Sequence, residues 1–161
     1  MLSLERLKQV LDYDAESGIF TWKIIRRRGM KAGDKAGSLN YLGYMQTKID
    51  GVSYRMHRLA WFYHYGSWPY QELDHIDGDR ANNRISNLRE ATRAQNCQNK
   101  VSPTRTEKLP RGVGAHSGAY RARINVNGKQ IFLGRFHSVE AAHAAYCKAA
   151  HELHGEFARV A

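Results

Sequence analysis

Apolar residues at Leu4, Leu7, Val10 and Leu11 recur at helical spacing behind a Ser3 placed to cap, and predict an N-terminal helix over Ser3 to Tyr13. The segment "GIFTWK" predicts a short strand, and "KIIRRRGMKAGDKAGS" after it reads as a basic, glycine-containing loop. In "YLGYMQTKIDGVSYRMHR" two strand-like runs flank Asp50-Gly51, a dipeptide that favours tight hairpin turns. The next stretch, "MHRLAWFYHYGSWP", is apolar around most of a helical circumference. It predicts a buried helix that stops near Gly66 and cannot pass Pro69.

The pattern then breaks. "ELDHIDGDRANNRISNLREATRAQNCQNK", Glu72 to Lys100, concentrates short polar side chains that hydrogen-bond their own backbone and weaken helix and strand alike. Its apolar positions predict a strand at "ELDHI", a turn at "DGD", a return strand at "ISNLREA" and a helix at "TRAQNCQNK" opening on a threonine. "VSPTRTEKLP" lacks periodicity, carries two prolines, and predicts a linker over residues 101–110. Beyond it "GVGAH", "YRARINV" and "QIFLGRF" predict three strands with turns at Ser117-Gly118 and Asn127-Gly128. "SVEAAHAAYCKAAHELHG" predicts a Ser-capped helix ended by Gly155.

Length and charge narrow the functional classes. A chain of 161 residues holds one domain or two small ones, and Lys+Arg 25 against Asp+Glu 15 gives a net charge of +10 and a pI near 9.8. That excess calls for a polyanionic partner. A membrane is disfavoured, because no apolar run approaches the roughly 20 residues of a spanning helix. The N-terminus is an amphipathic start with acids and no signal-peptide core, so a cytoplasmic location is expected. Cys97 and Cys147 are too few for a thiolate zinc cluster or a disulfide framework and are expected to be plain thiols.

The Asp, His and Asn residues of the polar stretch admit two readings, an ordinary polar turn or a metal site. Phosphodiester hydrolysis needs charge neutralisation, a base for water and a stabilised leaving oxygen. An Asp carboxylate with an Asn carbonyl suits a hard divalent cation, and a histidine is mostly neutral at physiological pH and can accept a proton. Asp74 and His75 are consecutive, and on a regular strand they point to opposite faces. A shared site is expected only at an irregular strand end, which the following Gly78 turn makes possible.

"DHIDGDRANNRISNLREATRAQN" resembles the core of the HNH nucleases, the ββα-metal nucleases, and in particular the phage-type HNH homing endonucleases. Those also begin in a manner similar to "LDYDAESGIFTWK" and "AGSLNYLGYMQTKIDGVSYRMHRLAW". The resemblance covers essentially residues 2 to 100. It implies His75 as general base, Asn87 as the brace of the loop and of His75, and Asp74 with Asn96 as holders of one divalent ion on the scissile phosphate. Asn96 stands where many members have His, which favours Mg2+ or Mn2+. It also leaves Asn99, one helical turn on, as a rival ligand. His57 and His64, on the apolar helix, are read as packing residues.

In the basic loop, Arg26, Arg27, Arg28 and Lys31 are either a solvated face or DNA-backbone contacts. In "YRARINV", Arg121, Arg123 and Asn125 share one strand face, with Tyr120, Ala122, Ile124 and Val126 on the other. A helix stripe of Val139, Ala142, Ala145, Tyr146, Ala149 and Leu153 is suited to cover that second face. An open Arg-bearing sheet can enter a major groove. Residues 111–160 are similar to the DNA-binding domain of the APETALA-two and ethylene-response factors, through the Arg-Gly-Val start, the Leu-Gly-x-Phe and the Ala-rich helix leading to "HGEFA". That resemblance puts Arg111, Arg121, Arg123, Asn125, Gln130 and Phe132 on the DNA face. The chain departs from the plant pattern around Gly114 to Ala119, so no plant target sequence carries over.

The expectation is an α+β chain: an HNH nuclease domain at 1–100 with its ββα-metal core about 72–100, a linker at 101–110, and a three-stranded antiparallel sheet packed on one helix at 111–161. Its expected function is metal-dependent, sequence-targeted cleavage of double-stranded DNA, of the free-standing phage homing type, by a monomer or weak dimer with no protein partner implied. The alternative is a non-cleaving transcriptional regulator with a vestigial nuclease fold. RNA binding is disfavoured, since Phe132 is the one clear stacking aromatic on the Arg face.

Overall fold

The structure is a computed structural model that describes residues 1–25, 29, 31–99, 109–158 and 160. Two compact units divide it, Met1–Thr92 and Arg93–Ala161. Helices and antiparallel sheets are mixed along the chain, in keeping with an α+β fold. No helix among the described residues is long and apolar enough to cross a membrane.

In the first unit α1 spans Leu4–Val10, and the Ser3 hydroxyl accepts the Arg6 N–H at 3.1 Å. The helix was expected to continue to Tyr13 but stops at Val10. Leu11–Asp14 instead form strand β1 against β2, Ile19–Trp22, with Leu11 opposite Trp22 and Tyr13 opposite Phe20. Leu11 and Tyr13 thereby turn inward while Asp12 and Asp14 face water, so period-two burial overrides the helical spacing. A short β3, Ser38–Leu39, which the sequence reading passed over, pairs with β4, Met45–Ile49, and β4 pairs with β5, Val52–Arg55. The β4–β5 turn places Asp50 and Gly51 at φ 47 and 85, the positive values a two-residue turn of this hand requires.

Helix α2, Met56–Tyr65, ends at Gly66 in the left-handed conformation, its N–H donating to the Phe62 carbonyl. Met56, His57, Leu59, Ala60 and Phe62 are buried, whereas His64 and Tyr65 are exposed, so burial is one-sided rather than all round. Phe20, Leu7, Leu11, Met56, Leu59 and Val10 centre the core, and Tyr13 stacks on Phe20 at 4.5 Å. Strand β6, Glu72–His75, pairs antiparallel with β7, Leu88–Ala91. The predicted return strand at Ile85 begins later, because Ile85–Asn87 form a 3-10 turn first.

The second unit opens with α3, Arg93–Asn99, and continues through β8, Val113–His116, β9, Ala119–Val126, β10, Lys129–Phe136, and α4, Val139–His154. The sheet order is β10-β9-β8, all antiparallel. Ser117-Gly118 and Asn127-Gly128 both have positive φ, as their hairpin turns demand. Ser138 caps α4 by accepting the Ala141 N–H. Ala142, Tyr146, Ala149 and Ala150 pack on Val113, Ala122 and Ile124, but Leu153 is largely exposed, so the apolar stripe ends a turn earlier than its spacing suggests. Gly112 lies against the Tyr146 ring, where a Cβ would fall 2.0 Å from ring carbon. Residues 101–108 of the expected linker lie outside the described residues.

Candidate active site

Three consecutive residues of β6, Leu73, Asp74 and His75, are buried. Burying a carboxylate and an imidazole side by side costs free energy unless each has partners. The partners the two residues meet are different. Asp74 pairs across the hairpin with Arg89, whose Nε and Nη2 donate to the same oxygen, Oδ2, at 3.0 and 2.9 Å. The pair is deeply enclosed, with side-chain exposures of 14% for Arg89 and 5% for Asp74. His75 Nε2 lies 3.4 Å from Asn83 Oδ1. An amide oxygen only accepts, so this contact is a hydrogen bond in the tautomer that carries its proton on Nε2 and has Nδ1 as the basic nitrogen.

The loop between the strands is a network of the short polar side chains. Asp77 Oδ1 accepts from the Asp79 N–H and from Asn87 Nδ2, and its Oδ2 accepts from Asn82 Nδ2 at 2.7 Å. Asn87 Oδ1 accepts the Asp77 N–H at 3.1 Å, and its Nδ2 also donates to the Asn82 carbonyl. Its own carbonyl accepts the Ile76 N–H. Asn87 thus ties both ends of the loop together, and the side-chain amide that meets His75 belongs to Asn83. Burial pushes the Asp77 carboxyl up, and the hydrogen bonds from Asn82, Asn87 and the Asp79 N–H more than offset this, leaving it below its ordinary value.

This loop is fixed from beneath by the β1–β2 turn. Tyr13 donates its hydroxyl to the Asn83 carbonyl at 2.8 Å, and the Ile85 N–H donates to the Ala15 carbonyl. Gly18, at φ +73, approaches so closely that a Cβ there would stand 2.4 Å from the Arg84 nitrogen. Only glycine allows that approach.

Around His75 stand His57, expected only to pack, and Tyr44, which has no expected role. The His57 ring meets it at 5.1 Å between centroids, and Tyr44 at 6.0 Å. His57 is 5% exposed and its buried Nδ1 has no hydrogen-bond partner among the described residues. Burial, then the neighbouring His75, Arg55 and Arg58, lower its pKa to about 3. Burial is also the largest influence on His75, lowering its pKa against the opposing pull of Asn83, Asp77, Asp74 and Asp79. A lowered value keeps His75 neutral, the form that accepts a proton.

The other expected site residues are distributed as follows. Asn96 lies half-buried on α3, within the second unit. The side chain of Asn99, its rival, and Arg26, Arg27 and Arg28 lie outside the described residues, while Lys31 is exposed. In the second unit Arg121, Arg123, Asn125 and Gln130 line one groove of the sheet together with the backbone of β8. Arg123 donates to Gln130 at 3.1 Å, and Phe132 is 60% exposed directly across from Arg123. Arg111 is half-buried and lines a different cavity. Among the described residues no three His, Cys, Asp or Glu gather as a metal-binding group. Asp74 offers the hard oxygen donor that Mg2+ or Mn2+ prefers.

Known proteins share this segment. Residues 54–98 match the family model of the HNH endonucleases. They include His57, Asp74, His75, Asn83, Asn87, Arg89 and Asn96. Over 86 residues the chain is 38% identical to an uncharacterized HNH endonuclease of Acanthamoeba polyphaga mimivirus, covering 53% of this chain and 44% of that protein. The chain therefore spans less than half the length of this relative.

Proposed function

We propose that the chain is a metal-dependent endonuclease that hydrolyses phosphodiester bonds of double-stranded DNA. The observation that carries this is the buried His75, its Nε2 beside Asn83 Oδ1 and its pKa lowered chiefly by burial, next to Asp74 inside the segment that matches the HNH endonucleases. His75 Nδ1 takes a proton from water as the water oxygen bonds to phosphorus. The P–O3′ bond breaks and the leaving oxygen is protonated, giving 5′-phosphate and 3′-hydroxyl ends, as the homing-endonuclease resemblance implies.

Asp74 would hold one Mg2+ or Mn2+, and Asn96 is assigned as second ligand on the sequence motif alone. When bound, such an ion neutralises charge on the phosphate and the leaving oxygen. Arg89 keeps the Asp74 carboxylate in one orientation by gripping Oδ2. The sheet face bearing Arg121, Arg123, Asn125 and Gln130 would bind the duplex, and two linked contacts add affinity. A free-standing phage homing enzyme is the biological form the N-terminal sequence resembles.

A second reading, a DNA-binding regulator that no longer cleaves, draws on the same Arg89 contact, since an arginine already neutralises part of the Asp74 charge. Supercoiled plasmid incubated with the protein in Mg2+, Mn2+ or EDTA separates the two. Metal-dependent nicking or linearisation supports the nuclease; DNA binding without cleavage in any divalent metal supports the regulator.

A further inference from the structure

We infer that Arg55 and Arg80, both seated on the Tyr44 ring, form a preorganised phosphate clamp beside His75 that grips the DNA backbone next to the scissile bond. The inference rests on the nuclease reading for its ligand and on independent geometry for its site.

Arg55 closes β5 and Arg80 follows the Asp77 loop, 25 residues away along the chain, yet both guanidiniums converge on one ring. Their central carbons lie 4.7 and 4.9 Å from the Tyr44 centroid. Arg80 Nη1 also donates to the Leu42 carbonyl at 2.7 Å. The loop that presents Tyr44 is itself held, because Asn40 Oδ1 accepts the N–H groups of Leu42 and Tyr44 at 2.9 and 3.0 Å. Tyr44 in turn leans on His57 and His75. The two cations are thus tied to the candidate base by one aromatic side chain.

A surface arginine usually finds a carboxylate or remains a loose, hydrated chain. Arg6 pairs with Asp50 and Arg89 with Asp74, whereas neither Arg55 nor Arg80 forms an ion pair among the described residues. A guanidinium stacked on an aromatic face keeps in-plane N–H groups for an incoming anion, and its rotamer entropy is already reduced. Phosphate is the anion that such a planar fork matches. By the nuclease reading Asp74 would hold the ion and His75 would take the proton at one phosphodiester, whereas this pair is placed to hold the strand around it.

The test uses the full chain in EDTA with a short duplex of arbitrary sequence, measuring Kd against salt. Each protein–phosphate contact contributes about 0.9 to the slope of log K on log salt. Arg55→Ala and Arg80→Ala should each reduce the slope by about one, and the double variant by about two. Tyr44→Phe keeps the stacking face and should match the parent, while Tyr44→Leu should approach the double variant. Arg6→Ala, which loses an arginine held by Asp50, should leave the slope unchanged. An unaltered slope in the double variant, or no duplex binding by the parent, would overturn the clamp. Plasmid nicking by the parent in Mg2+ is measured in parallel. Nicking with an unaltered slope discards the clamp and keeps the nuclease; a reduced slope without nicking discards the nuclease and keeps the clamp as a DNA contact.

Discussion

The rings of His57 and His75 meet edge to face, their centroids 5.1 Å apart and their planes 77° from parallel, both buried in the first unit. Two imidazolium ions cannot share that contact at low cost. Burial is the main reason the His57 pKa is lowered to about 3, and the neighbouring His75, Arg55 and Arg58 add to it.

The sign of the stability effect follows from that lowering. The folded chain refuses a proton that His57 accepts near pH ~6.5 once unfolded, so stability is complete above that value and falls as pH drops toward 3. Denaturant midpoints measured from pH 7 to pH 3 should decline for the parent and decline less for His57→Phe, which retains a ring without the titrating nitrogen. Equal declines would show that the acid sensitivity arises elsewhere.

Arg89 is required by the carboxylate it covers. Arg89→Ala removes the Nε and Nη2 hydrogen bonds that reach the buried Asp74 Oδ2 and should cost about 3–5 kcal/mol in urea unfolding. The double variant Asp74→Asn/Arg89→Leu removes both charges and should recover much of that loss. Two additive single-variant losses would mean that the residues act independently.

Gly18 ties the β1–β2 turn to the loop between β6 and β7. Gly18→Ala must occupy φ +73 and push against the backbone of Asn83 and Arg84, so the left-handed conformation alone should cost about 1–3 kcal/mol. Separation of the two turns should also weaken the Ile85 N–H bond to Ala15, read as faster amide exchange at Ile85. Unchanged exchange would place the loop's rigidity elsewhere.

Asn87 offers a comparison of charge with shape. Asn87→Ala deletes side-chain bonds to Asp77 and Asn82 and should cost about 1–3 kcal/mol. Asn87→Asp retains the shape but sets a second carboxylate against Asp77. It should be worse than alanine at pH 7 and closer to the parent at pH 4.

Most elements were legible because their signals are local. Turn dipeptides fixed the hairpins at Asp50-Gly51, Ser117-Gly118 and Asn127-Gly128, and Ser3 and Ser138 marked helix starts. Leu11 and Tyr13 misled because four apolar residues fit helical spacing while the last of them belongs to an alternating strand. Asp74, His75 and Asn87 were visible as a motif. Arg89 was not, because its register opposite Asp74 depends on where the intervening loop ends. His57, Tyr44, Arg55 and Arg80 were invisible as site residues for the same reason, since only tertiary packing brings α2, β4–β5 and the loop after β6 to one place. Asn83 was legible only as a candidate turn residue beside Asn82 and Asn87.

The central claim is that His75 is the proton acceptor in DNA cleavage, and His75→Ala tests it most directly. Plasmid nicking in Mg2+ is measured beside duplex binding in EDTA, for the parent and the variant, with added imidazole as a replacement base. The account predicts that cleavage falls by a factor of about 100 or more while binding changes little, and that imidazole restores part of the rate. Cleavage by His75→Ala at the parent rate, with binding intact, would contradict it.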